Sequence, residues 1–279
     1  MIHFHKYHGL GNDYLILDPS EGADLPSGDE IRRICHRNYG IGSDGILFGP
    51  LVDRKDGFGV RIFNPDGSEA EKSGNGLRIF ARYLFDHGRV ADHKFVIGTP
   101  GGDVSAQVLE SGRIISVEMG RVSFDSRDVP VTGETREVLN ETLRIGDDEI
   151  TYCAATIGNP HCVILEPELS LERVQRLGPR IETHPIFPNR TNVQFARVID
   201  RNNISIEIWE RGAGYTLASG SSASAAAAVI HRLGLCDADV TVQMPGGILS
   251  IQIAPDYGIT LTGPVIRVGD GVIDPEMFS

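Results

Sequence analysis

Residues 71–88 read EKSGNGLRIFARYLFDHG, and residues 217–234 read LASGSSASAAAAVIHRLG. Each opens on Ser-Gly, Ser73-Gly74 and Ser219-Gly220, and each serine stands 15 residues before a glycine, Gly88 or Gly234. In the first stretch Leu77, Phe80, Ala81, Leu84 and Phe85 recur at helical spacing, one apolar face that stops at Gly88. The second is small and apolar all round over Ala223–Ile230, and a helix of that composition has to be buried on every side.

Other landmarks repeat at nearly the same offset. HGLGNDYLIL (8–17) resembles TIGNPHCVIL (156–165), with Asn12 lying 147 positions before Asn159. Ser73 precedes Ser219 by 146 positions, and Pro100-Gly101-Gly102 precedes Pro245-Gly246-Gly247 by 145. Internal repetition of this kind signals two copies of one structural unit. The halves are expected at 1–122, with a C-terminal strand 265–279 added, and at 123–264. Val60–Phe63 and Ile204–Trp209 are β-branched or alternating and are bounded by turn residues, so they read as strands. Each PGG reads as a turn before a hairpin. Ile31–Asn38 and Leu171–Leu177 read as one surface helix per copy, and Thr132–Asp148 as an early hairpin or loop of the second copy. The expected fold is α/β (α+β), two pseudo-symmetric halves, each a sheet wrapped around a central helix.

Composition narrows the function. The 279 residues carry 26 Lys and Arg against 38 Asp and Glu, a net charge of −12. Such a chain, with no basic run, offers no footprint for nucleic acid and none for an anionic membrane surface. No apolar stretch has the length of a signal-peptide core or a membrane span. Cys35, Cys153, Cys162 and Cys236 form no CxxC pair, which argues against a zinc ribbon or a disulfide scaffold and for a reduced, cytoplasmic protein.

The plain role of a serine before a helix is an N-cap, its oxygen accepting from an orphan N–H of the first turn. That the feature recurs in both copies asks for more. A helix start presents unpaired N–H groups and a positive dipole end, a ready site for a carboxylate. If the copies pack about a pseudo-two-fold axis, a ligand held between two such starts meets Ser73 on one face and Ser219 on the other. That arrangement suits removal of a proton from one face of a carbon and its return to the opposite face.

FHKYHGLGNDY (4–14), IGSDG (41–45), FNPDGSEAEKSGNG (63–76), IGNPHC (157–162), RTNVQF (190–195) and ERGAGYTLASGSSAS (210–224) closely resemble the diaminopimelate epimerase family, over nearly the whole chain. The resemblance implies a cofactor-independent epimerase that interconverts LL- and meso-diaminopimelate for lysine and peptidoglycan synthesis, and a homodimer. It implies substrate contacts at Asn12, Asn64, Asn159, Asn192, Glu210 and Arg211, where amides and carbonyls grip an ammonium and Arg211 pairs with a carboxylate. Gly74, Asn75, Gly220 and Ser221 would give backbone N–H donors to the reacting carboxylate and to charge developing as the α-proton leaves. His161 is a further candidate for the cleft.

The chain departs from the family at its two acid/base positions, which are cysteines there and Ser73 and Ser219 here. A thiol titrates near 8.5, whereas a hydroxyl is a far weaker acid and needs an adjacent base. Tyr215 stands where the family usually has Glu, Gly45 where it often has Gln, and Ser224 where Cys is common. The departures leave two other readings open: a diamino-acid-binding paralogue without turnover, and a related racemase or eliminating enzyme.

The remaining motifs are weaker. His3 and His5 alternate on one strand face with His8 nearby; with no further ligand in sequence they read as a solvated strand edge rather than a metal site. Gly9-Leu10-Gly11-Asn12 lacks the third glycine of a dinucleotide fingerprint. Asp147–Glu149 reads as a solvated turn. Lys72 is the lysine beside a Ser-Gly motif, and its place does not suit a Schiff base, so no cofactor is expected.

Overall fold

Both serine-led stretches fold as helices with the serine as N-cap. The computed structural model describes residues 2–51, 57–91 and 93–279. Its mixed α+β fold divides into two compact units, Met1–Glu118 with Thr262–Ser279, and Met119–Leu261.

In the first unit, strands β1 (Ile2–Gly9) and β2 (Asn12–Leu17) form a hairpin. Leu10 and Gly11 make its turn at φ 58° and 88°, the left-handed pair that matches the strand twist and explains the glycine-rich motif without a nucleotide. Helix α1 (Gly28–Cys35) follows, with a Ser27–Glu30 capping box at its start. Strand β2 runs parallel to β3 (Ile46–Leu51), and β3 antiparallel to β4 (Phe58–Phe63), which pairs with the short β5 (Glu69–Ala70). Helix α2 (Gly74–Asp86) then leads to β6 (Lys94–Thr99), parallel to β4, and to the antiparallel β7 (Gly102–Leu109) and β8 (Ile114–Arg121).

The second unit repeats this path. A hairpin of β9 (Glu141–Ile145) and β10 (Asp148–Thr156) passes to β11 (Pro160–Leu165), antiparallel to β10. Helix α3 (Leu171–Glu182) follows, then β12 (Asn192–Asp200), parallel to β11, and β13 (Asn203–Glu210) with the short β14 (Gly214–Thr216). Helix α4 (Gly220–Arg232) leads to β15 (Asp239–Met244), parallel to β13, and β16 (Gly247–Ile253). After β17 (Gly258–Pro264), β18 (Ile266–Ile273) closes the chain in the first unit, antiparallel to β1. Both PGG segments are two-residue hairpin turns, with pairs Thr99–Gly102 and Met244–Gly247.

Helix α2 packs against β1, β2, β3 and β7, and α4 against β10 to β13 and β16. Ala225–Ile230 are wholly buried, as their composition requires. The face of α2 is wider than its periodicity suggested: Ile79 and Tyr83 are buried with Leu77, Phe80, Ala81 and Leu84, while Phe85 is only partly covered. Burying side chains of this size contributes about 1.5–3 kcal/mol each, so packing on the sheet holds these helices.

Two expectations need correction. Strand β1 is not an edge, since it pairs with β18 on one side and β2 on the other, and His5 is buried. Nor is Asp147–Glu149 simply a solvated turn: Asp148 and Glu149 begin β10, and they pair with Arg176 and Arg144.

Candidate active site

Ser73 and Ser219 have matching backbones, φ −143°, ψ 119° and φ −147°, ψ 127°. This extended geometry turns the side chain back over the helix start. Ser73 Oγ accepts from Gly76 N at 3.1 Å, and Ser219 Oγ from Ser222 N at 3.4 Å. The N–H groups of Gly74 and Asn75, and of Gly220 and Ser221, belong to the first turn, where the helix itself supplies no acceptor.

Around Ser73 the structure assembles a chain of polar groups. Arg78 Nη2 donates to Asn75 Oδ1 at 2.8 Å, Asn75 Nδ2 to Asn12 Oδ1 at 3.1 Å, and Asn12 Nδ2 to Asp44 Oδ2 at 3.0 Å. Arg37 ties Asp44 to Asp13, and Lys6 pairs with Asp13 as well. Burial pushes the Asp13 carboxyl up, but the hydrogen bonds from Arg37 and Lys6 outweigh it and hold the group below its ordinary range. Asn64 stands apart from this chain, its amide donating to Ser68 Oγ across the Pro65-Asp66-Gly67 turn.

One contact was not foreseen. Tyr14 Oη lies 3.2 Å from Ser73 Oγ. Its ring rests on Gly45, where an added Cβ would stand 2.6 Å from Tyr14 Cε1 and 2.5 Å from the Phe63 carbonyl oxygen.

In the second unit His161 Nε2 meets Asn159 Oδ1 at 2.9 Å. His161 is fully buried; burial, helped by the charge of Arg211, pushes its pKa down to about 3, so the imidazole is neutral and takes no part as a base near pH 7. Asn192 Nδ2 donates to the Pro160 carbonyl at 2.9 Å, and Arg211 N donates to Asn192 Oδ1 at 3.0 Å. Asn192 thus fixes the start of the Arg211 turn, while the exposed guanidinium reaches the Asn189 carbonyl. Thr216 Oγ1 donates to Glu210 Oε2 at 3.4 Å. Tyr215 packs beside the core of this unit and donates to Glu207 Oε2 at 2.7 Å; burial first, and this bond second, push its phenol up to about 12. Ser219 has Ser221 Oγ at 3.4 Å as a hydroxyl neighbour, and Gln194 Nε2 holds Ser222 Oγ at 3.0 Å. Ser224 Oγ donates to the Gly220 carbonyl, a bond inside the helix.

The strand registers show which positions correspond. Leu15 pairs with Ile46, and Cys162 with Val193, across the matching parallel strands. Tyr14 is therefore the counterpart of His161, and Gly45 of Asn192.

The retained cysteines are no replacement for the missing thiols. All four are buried, and burial pushes Cys35, Cys153 and Cys236 up, Cys236 to about 11, and Cys162 further. The histidine reading also changes in one respect: His5, Glu21 and His87 do come together, their ligand atoms within 4.8 Å of one another, with His5 Nε2 2.9 Å from Glu21 Oε2. Two surface grooves among the described residues, beside Phe85 and Leu109 and beside Arg32 and Tyr39, include none of the site residues.

The diaminopimelate epimerase family model matches residues 4–124 and 153–268. The chain belongs to the diaminopimelate epimerase family. The family is one of isomerases. A Nostoc protein named diaminopimelate epimerase 2 is 56% identical over 99% of this chain and 97% of its own length. A diaminopimelate epimerase of Desulfitobacterium hafniense is 38% identical over 98% of this chain and 99% of its own. Among solved structures, a probable proline racemase from Agrobacterium radiobacter superposes with a TM-score of 0.75, covering 100% of this chain and 94% of that one; at 15% identity the likeness is one of fold.

Proposed function

We propose that this chain interconverts LL- and meso-diaminopimelate without a cofactor, by proton transfer at one α-carbon, with Ser73 and Ser219 each serving one face. The observation that carries the reading is the matched pair of serine-capped helix starts, alike in backbone and each in a unit that repeats the other. The first-turn N–H groups of Gly74, Asn75, Gly220 and Ser221 would hold the reacting carboxylate, and they would stabilise the charge that builds on it as the α-proton leaves. Asn12, Asn64, Asn159, Asn192, Glu210 and Arg211 would hold the distal amino-acid end. In this reading Arg211 is well placed for a carboxylate, because Asn192 anchors its backbone while its guanidinium stays exposed.

The test is incorporation of deuterium at the substrate α-carbon in heavy water, with LL- and meso-diaminopimelate separated by chromatography. Exchange with interconversion is the expected result. Binding without exchange would favour the second reading, a diamino-acid-binding paralogue, which two hydroxyls in place of thiols make the chief rival. A new product would point to elimination. The same reading holds the enzyme to be cytoplasmic, on its scattered cysteines without a CxxC pair, and a homodimer, on family resemblance; sedimentation as a monomer at working concentration removes the dimer from it.

A further inference from the structure

We infer that Tyr14 is the proton partner of Ser73, and that this pair, rather than the serine alone, forms the acid/base device of the first unit. The inference rests on the epimerase reading above. Three observations carry it. Tyr14 Oη and Ser73 Oγ are within hydrogen-bond distance at 3.2 Å. The Ser73 oxygen already accepts the Gly76 N–H, so its own proton and a remaining lone pair are what it can share with the phenol. The ring holds this place because position 45 is glycine: the missing Cβ would collide with Tyr14 Cε1 at 2.6 Å.

A serine hydroxyl cannot take up an α-proton unless its own proton has somewhere to go. The phenolate form of Tyr14 offers that place, and the positive end of α2 stands beside the oxygen it bonds. In the forward step the α-carbon–hydrogen bond breaks and a new Ser73 Oγ–H bond forms, while the original Ser73 proton passes to Tyr14 Oη. The electron pair stays on the α-carbon, and the negative charge moves from the phenolate to the substrate. The reverse step returns a proton to carbon as the phenol reprotonates the serine. Nothing is oxidised or reduced.

Among the described residues the second unit shows no equivalent. The counterpart of Tyr14 is His161, which is buried, neutral and bonded to Asn159, while the side-chain neighbour of Ser219 is another hydroxyl, Ser221. The relay is therefore one-sided.

Tyr14→Phe keeps the ring on Gly45 and removes only the hydroxyl. α-Hydrogen exchange from LL- and meso-diaminopimelate is followed in heavy water from pH 6.5 to 10 in the full chain, beside calorimetric binding and thermal unfolding. The expected result is a loss of about 100-fold or more in exchange at pH 8, a pH profile that differs from that of the wild type, and unchanged substrate binding. Exchange within threefold of wild type, with the same pH profile, overturns the relay and leaves the epimerase reading standing. A wild type that binds the substrate without exchange, or does not bind it, overturns both.

Discussion

Arg78 donates from Nη2 to Asn75 Oδ1 at 2.8 Å, while its Nε and Nη1, buried with it, meet no acceptor. Among the described residues no carboxylate forms an ion pair with this guanidinium, and burial alone pushes its pKa down to about 9. A buried cation held this way is costly to the fold. What it achieves is local: it orients the amide whose other end holds Asn12.

Arg78→Met should therefore separate stability from binding. The apolar chain removes an uncompensated charge, which offsets the acceptor left open on Asn75, so unfolding free energy should stay within about 1 kcal/mol of wild type. Binding of diaminopimelate should weaken by about tenfold, because the Asn75–Asn12 pair loses its anchor. Calorimetry and thermal melts read the two effects. An undiminished affinity, or a collapse in stability, would show that the arginine serves the core instead.

The serine caps give a second, unequal pair. Ser73→Ala and Ser219→Ala should each cost about 1 kcal/mol, or a fall in Tm of about 2–4 °C. The larger loss belongs to Ser73, whose bond to Gly76 N is 3.1 Å against 3.4 Å for the bond of Ser219 to Ser222 N. Differential scanning calorimetry checks the order; no loss at either site would mean the hydroxyls do not cap.

The repeat was legible because its markers are local chemistry. A serine before a helix, PGG at a hairpin and Gly88 or Gly234 after a last turn act through their own backbone, and each lies where its type predicts. The site was legible only where it follows those markers. Tyr14 meets Ser73 across 59 positions of chain, and nothing in the spacing of either residue announces it. Arg78 sits on what a helical pattern reads as the polar side of α2, yet it is fully covered. His5 finds Glu21 and His87 through the tertiary fold, so a strand pattern alone left it solvated.

Restoring thiols is the direct test of the acid/base positions. A cysteine at a helix N-terminus titrates well below 8.5, so Ser73→Cys with Ser219→Cys should supply thiolate at neutral pH. Exchange at pH 8 should rise by about 100-fold or more, and the dependence on Tyr14 should disappear. Of the single variants, Ser219→Cys should gain more, because the side chain beside Ser219 is a hydroxyl, Ser221, where Ser73 has the phenol of Tyr14. If the double variant binds diaminopimelate but exchanges no faster, proton transfer occurs elsewhere.

His161 ties the second unit to pH. Its folded pKa is lowered from 6.5 to about 3 by burial, so the native state does not take up a proton over a range where the unfolded chain does. Its neutral form is compatible with both states above pH 6.5, and there it adds no pH dependence. As pH falls from 6.5 toward 3 the unfolded state alone gains the proton, and stability declines. His161→Gln retains a polar group for Asn159 and removes the titration. The variant should start somewhat less stable at pH 8, from imperfect packing, yet lose less on going to pH 4.5 than the wild type does. Denaturant melts at the two pH values measure both differences, and equal losses would place the acid sensitivity of this unit elsewhere, with the Arg136–Glu141 pair the next group to test.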